Sequence, residues 1–139
     1  MAQYTLDDDI TDDNCLFGIA SHAKPYQLVS EINSHVGMKL KHSGKGVFPK
    51  KVQEEPIPHP YYIWEDSENN IDYYLFVNNF HRNYLIPTLK HAHYLLLVNC
   101  DVYLLEKQIK DFKTCQKILS FFDLNQHQKH KQLIYQWTL

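Results

Sequence analysis

Two runs of aromatic and β-branched residues, Tyr61–Trp64 and Ile71–Val77, flank the polar hexapeptide Glu65–Asn70, and this pattern constrains the fold more than any other stretch of the chain. Such runs, bounded by turn-forming residues, predict two strands joined as a hairpin. Side chains alternate along a strand, so Ile71, Tyr73, Leu75 and Val77 share one face, while Asp72, Tyr74, Phe76 and Asn78 share the other. The first set is expected to face the core. Tyr62, Trp64, Tyr74 and Phe76 then put aromatic rings on a second surface, a composition typical of partner-binding patches. The rival expectation is that a proline-rich connection covers that surface.

Around the hairpin, periodicity assigns further elements. Cys15–Ala20 is a dense apolar run and reads as a buried strand. Ser21 stands near an N-cap, Pro25 suits a first helical turn, Leu28, Val29, Ile32 and Val36 recur at helical spacing, and Gly37 supplies a stop. Met38–Lys41 is expected to be a short strand. Between Ser43 and Pro60, two glycines and four prolines predict a long surface connection. Phe80–Lys90 resists assignment because Pro87 cannot donate to a strand ladder. Tyr94–Val98 reads as a central strand. Asp101 is expected to cap a helix that buries Leu105, Ile109 and Phe112, followed by a strand over Ile118–Phe122 and one more over Leu133–Trp137.

This order predicts an α+β domain, a largely antiparallel sheet with two helices on one face. Its sharpest form is a pair of ferredoxin-like split β-α-β units with an inserted hairpin. At 139 residues the chain is the size of one domain, 1–139, with an acidic stretch at 1–13 and the Pro/Gly-rich connection at 43–60. A chain this long buries a core without staples, so folding requires no metal or cofactor.

At Ile86–Tyr94 the sequence reads IPTLKHAHY and resembles the signature of the IPExxxVDY family of uncharacterised bacterial proteins. Ile86, Pro87 and Tyr94 match; Thr88, Ala92 and His93 stand where that pattern has Glu, Val and Asp. The resemblance extends to the setting, which runs from an acidic start through strand, helix and aromatic hairpin to the motif. It implies a domain covering nearly the whole chain and supplies no reaction. Without the two carboxylates a general acid/base pair is lost, so a structural role is expected: Ile86-Pro87 as an extended entry, Tyr94 as the start of a buried strand, His93 as a polar site at its edge.

Few residues suggest chemistry. His91 and His93, at i and i+2 of a strand, would project to one side and form the one metal-like pair, with His59, His81 or Asp72 as a third ligand if folding gathers them. Solvated or hydrogen-bonded histidines are the ordinary alternative. Lys107, Lys110, Lys113 and Lys117, with His127 and His130 in a polar loop, form a possible basic patch for phosphate contacts. Yet fourteen basic and sixteen acidic residues leave a net charge of −2, unlike a dedicated nucleic-acid domain. Cys15 and Cys100 read as buried thiols. Cys115 lies between Lys113 and Lys117, which would lower its pKa, but no histidine neighbours it in sequence. Ser43-Gly44-Lys45-Gly46 lacks the spacing of a phosphate-binding loop, and Glu54-Glu55 and Glu65-Asp66 read as loop charges.

No activated nucleophile or paired acid emerges, so a non-catalytic domain is expected, acting through protein association as a homodimer or with a partner. A small-molecule ligand sensor and an RNA-associated protein using the lysine face are the alternatives. Three cysteines without a C-x-x-C pair fit a reducing, cytoplasmic setting. The opening segment has no basic and apolar signal pattern, and Tyr94–Val98, the longest apolar run, is too short to span a bilayer.

Overall fold

A computed structural model describes residues 14–49, 57–100, 102–126 and 128–138. The first strand, β1 (Cys15–Ala20), is followed by α1 (Pro25–His35), β2 (Lys41–Val47), β3 (His59–Asp66) and β4 (Ile71–Val77). A small hairpin, β5 (Asn79–Phe80) and β6 (Asn83–Tyr84), and a 3-10 turn at Pro87–Leu89 lead into β7 (Tyr94–Val98). A second 3-10 turn, Val102–Leu105, runs into α2 (Glu106–Lys113), then β8 (Ser120–Asp123) and α3 (Gln128–Gln136). Six strands form one antiparallel sheet in the order β2-β3-β4-β7-β1-β8. Both β-α-β units are split: β3, β4 and β7 lie between β1 and β2, and β1 lies between β7 and β8. The fold is α+β, as the element order predicts.

Alternation along the central strands gives the sheet two apolar faces. Phe17, Ile19, Tyr73, Leu75, Leu96 and Phe121 pack beneath Leu28 and Ile32 of α1 and Phe112 of α2, so both helices lie on one side. Phe121 stacks between Phe17 at 5.0 Å and Phe112 at 4.6 Å. On the other side Leu16, Phe76, Leu95 and Leu97 are covered by the 85–92 segment and by Ile134 of α3. Leu133–Trp137 is therefore not the expected strand, and His130 lies in α3 rather than in a loop. Leu133, Ile134 and Trp137 recur at i, i+1 and i+4, a helical stripe, and Trp137 meets Phe76 at 5.6 Å. This helix and the 85–92 segment pack on the second face, joined by Val47 from the expected 43–60 connection, of which residues 50–56 lie outside the described residues.

Two further expectations change at β2. Met38–Leu40 is not a strand: both ends of the Asn33 side chain hydrogen-bond the backbone N–H and C=O of Leu40, each at 2.9 Å, taking the place of a strand partner. The strand begins at Lys41 and occupies part of the expected connection. As an edge strand open to solvent it needs no apolar alternation, and its register shifts between His42 and Gly46, with Gly44 at φ 79°.

The predicted hairpin forms with Tyr61 opposite Phe76 and Asp66 opposite Ile71. Asp66 is no loose loop charge: it is buried, and its carboxylate accepts from Asn69 Nδ2 at 2.8 Å within the turn. At β1, Gly18 is required by a close approach, because a Cβ there would stand 2.4 Å from the ring of Phe122, its partner on β8. The Glu54-Glu55 pair, Asp101 and His127 lie outside the described residues.

Candidate functional site

β1 ends at Ala20, and the turn Ser21–Lys24 carries the chain into α1 beside the point where β7 begins. Across from this turn β4 leaves the sheet and enters the β5–β6 hairpin. Between these segments lies a cavity of about 500 Å³, walled by residues 21–26, Val77, Asn79, Phe80, His81, His93 and Tyr94. It sits at one end of the sheet, where three chain segments distant in sequence meet.

The segment leading into β7 is fixed by Asn78, which is fully buried. Its Nδ2 donates to the carbonyls of Leu89 (3.1 Å) and Ala92 (2.7 Å), while its Oδ1 accepts the Ile86 N–H at 2.8 Å. The amide thereby satisfies buried backbone groups that no sheet ladder reaches. Ile86 is buried, Pro87 opens the 3-10 turn, and Tyr94 is buried at the start of β7, its hydroxyl donating to the Ala23 carbonyl at 2.6 Å. Burial and the neighbouring Tyr62 push the Tyr94 phenol up to about 12, so this hydroxyl acts as a prop between β7 and the α1 turn. Thr88 contacts Nε2 of His130 on α3 at 3.3 Å.

His93 is held from four directions. Its N–H donates to Ile19, its carbonyl accepts from Asn78 and Asn79 at 2.9 and 3.1 Å, and its Nδ1 accepts the Ser21 N–H at 3.0 Å. Because the Ser21 amide can only donate, Nδ1 carries no proton and the neutral ring bears it on Nε2. Burial, and then the neighbouring His22 imidazole at 5.8 Å, lower the His93 pKa. The residue is therefore a neutral imidazole with a fixed ring, its proton on Nε2, in the wall of the cavity.

His81 reaches the same cavity through a strained turn. His81 and Arg82 both adopt positive φ, 51° and 67°, a conformation that a two-residue hairpin needs and that non-glycine residues adopt at a cost of about 1 kcal/mol each. The His81 ring packs edge-on against Phe80 at 4.2 Å. Behind Phe80 stands His59, fully buried, with Nδ1 donating to the Val77 carbonyl at 2.7 Å and Nε2 without a hydrogen-bond partner among the described residues. Burial lowers its pKa; the Val77 bond opposes this and His81 adds to it.

The expected metal pair does not assemble. β7 begins only at Tyr94, so His91 stands exposed in a turn, Ala92 is buried and His93 turns to Ser21. Asp72 is engaged with Asn99, and among the described residues no group of three His, Cys, Asp or Glu side chains is placed to hold a metal ion. All three cysteines are buried. Burial, with Glu31 and Asp111 nearby, pushes the Cys115 thiol up to about 11, the reverse of the direction expected from its lysine neighbours.

Of the aromatic surface residues, Phe76 is completely buried against Tyr61 and Trp137 and is no part of an exposed patch. Tyr62, Trp64 and Tyr74 are half-buried, with Trp64 stacked on Tyr73 at 4.9 Å. Lys107, Lys110, Lys113 and Lys117 are exposed along α2 and the turn after it, Lys107 pairing with Asp111 at 3.0 Å. Ser43–Gly46 lies within β2 and precedes no helix.

His22, Lys24 and Tyr26 belong to the cavity although no spacing motif marks them. Their one sequence signal is position, in a polar turn between a buried strand and a proline-started helix. No protein-family model, curated protein or solved structure matches the chain. No helix among the described residues is long and apolar enough to cross a membrane.

Proposed function

We propose that this chain is a small-ligand-binding domain and that the cavity between the α1 turn and the β5–β6 hairpin is its binding site. The observation that carries the reading is His93, an imidazole whose other polar groups are all committed to the scaffold and which lines a cavity of about 500 Å³. Ligand sites of this size combine apolar walls with a few fixed polar groups, and here Pro25, Val77, Phe80 and Tyr94 supply the walls. A thermal-shift screen of a broad metabolite library tests it. A hit should raise Tm in the parent protein and have less effect in His93→Phe, because only binding to the folded state stabilises by mass action. A library without a single hit contradicts the reading.

Association is the second reading, supported by the half-buried Tyr62 and Trp64 at the β2–β3 end of the sheet and by the exposed edge strand β2. Light scattering at neutral pH tests it: a dimer that Trp64→Ala dissociates supports this route, and a strict monomer removes it.

A further inference from the structure

We infer that the ligand of this cavity is a small organic anion, a carboxylate or phosphate monoester on an apolar body; the inference rests on the ligand-binding reading above. Among the described residues no Asp or Glu lines the cavity. The polar groups that do line it are weighted towards donors. Lys24 brings an ammonium group, His93 has its proton on Nε2, and His22 and His81 add two more imidazoles. Two hydroxyls are already spent, that of Ser21 donating to the Lys117 carbonyl and that of Tyr94 to Ala23. Neither is left to donate to a ligand.

The wall formed by α1 adds to this bias. No acidic side chain stands in its first turn, so the positive end of the helix is unopposed where it meets the cavity. Such a set of donors and positive charge, with no carboxylate among the described residues that line it, is complementary to negative charge and adverse to a cationic ligand. Three rings, Phe80, Tyr94 and the exposed Tyr26, stand with Pro25 and Val77 among the apolar lining, which suits a flat apolar body behind the anionic group.

Titration calorimetry of the full chain with phenyl phosphate, benzoate and benzamide tests the class. Phenyl phosphate and benzoate separate the two anionic sources, and benzamide is the neutral match in shape. At least one anion should bind tenfold or more tightly than benzamide. Lys24→Glu should weaken that anion at least fivefold, whereas Lys110→Glu, which changes the net charge equally on an exposed face away from the cavity, should not. Both lysines are exposed, so neither exchange threatens the fold. Benzamide binding as tightly as the anions, or equal losses in the two lysine variants, overturns the inference and leaves the cavity reading intact. Binding of none of the three also overturns it, and the cavity reading then stands or falls on the library screen.

Discussion

Asn78 and the histidines carry most of the local logic. Removing the Asn78 side chain takes the partner from the Ile86 N–H and the Ala92 carbonyl and leaves the Leu89 carbonyl with the Ala92 N–H alone. Each such loss costs roughly 1–3 kcal/mol, so Asn78→Ala is expected to lower stability by about 3 kcal/mol or more in urea unfolding. Asn78→Asp should fare no better, since a carboxylate presents lone pairs to two carbonyls. His59 and His93 set the pH response. Both have folded-state pKa values below 6.5, so as pH falls the unfolded chain takes up protons first. Their contribution to stability is complete above about pH 6.5 and is lost below it, towards the lowered folded-state values. Urea midpoints measured from pH 8 to pH 5 should be flat in the upper range and fall in the lower, with a shallower fall in His59→Met. An unchanged slope in that variant would remove His59 from the account.

At the scale of elements, legibility in the sequence follows how each element is stabilised. β1, α1, the β3–β4 hairpin, β7 and α2 bury apolar faces, and their periodicity reports it directly. β2 does not, because a solvent-exposed edge strand draws its order from its ladder with β3 and from the Asn33 clamp just before it. α3 hides because the apolar residues described on its packed side, Leu133, Ile134 and Trp137, come at its end, after a polar run. The 78–93 insert is held by one side chain bonding eight to fourteen residues away, which no local pattern encodes. Of the cavity His93 and His81 stand out in sequence as metal ligands, and Ser21, Pro25 and Tyr94 only as structural positions; the site comes from three segments that the sheet brings together.

The β5–β6 turn gives a prediction at this scale. Arg82→Gly relieves a positive φ at an exposed position and should stabilise the protein by about 1 kcal/mol, visible as a higher Tm. At the β1–β8 contact, Gly18→Ala places a methyl against Phe122 and should cost about 1–3 kcal/mol, and much of that cost should be recovered when Phe122 is also truncated to Leu.

Across the whole molecule, aromatic abundance is spent mainly on structure. One aromatic stack lies under the helices and a second cluster, Tyr61, Phe76 and Trp137, lies under α3, so both faces of the central sheet are closed. At one end of the sheet histidines and a lysine surround a cavity that no acidic side chain lines among the described residues. The Ile86–Tyr94 stretch, anchored by Asn78, carries His93 to that end. Long-range ¹⁵N NMR of the histidine rings at pH 7.5, during titration with phenyl phosphate, tests most directly whether His93 is a preset donor at a ligand site. The prediction is an Nε2–H tautomer for His93, with His93 and His22 signals moving saturably while His35, whose ring contacts Thr114 away from the cavity, stays still. A His93 ring protonated at Nδ1, or one whose signals do not move while phenyl phosphate binds, would contradict it.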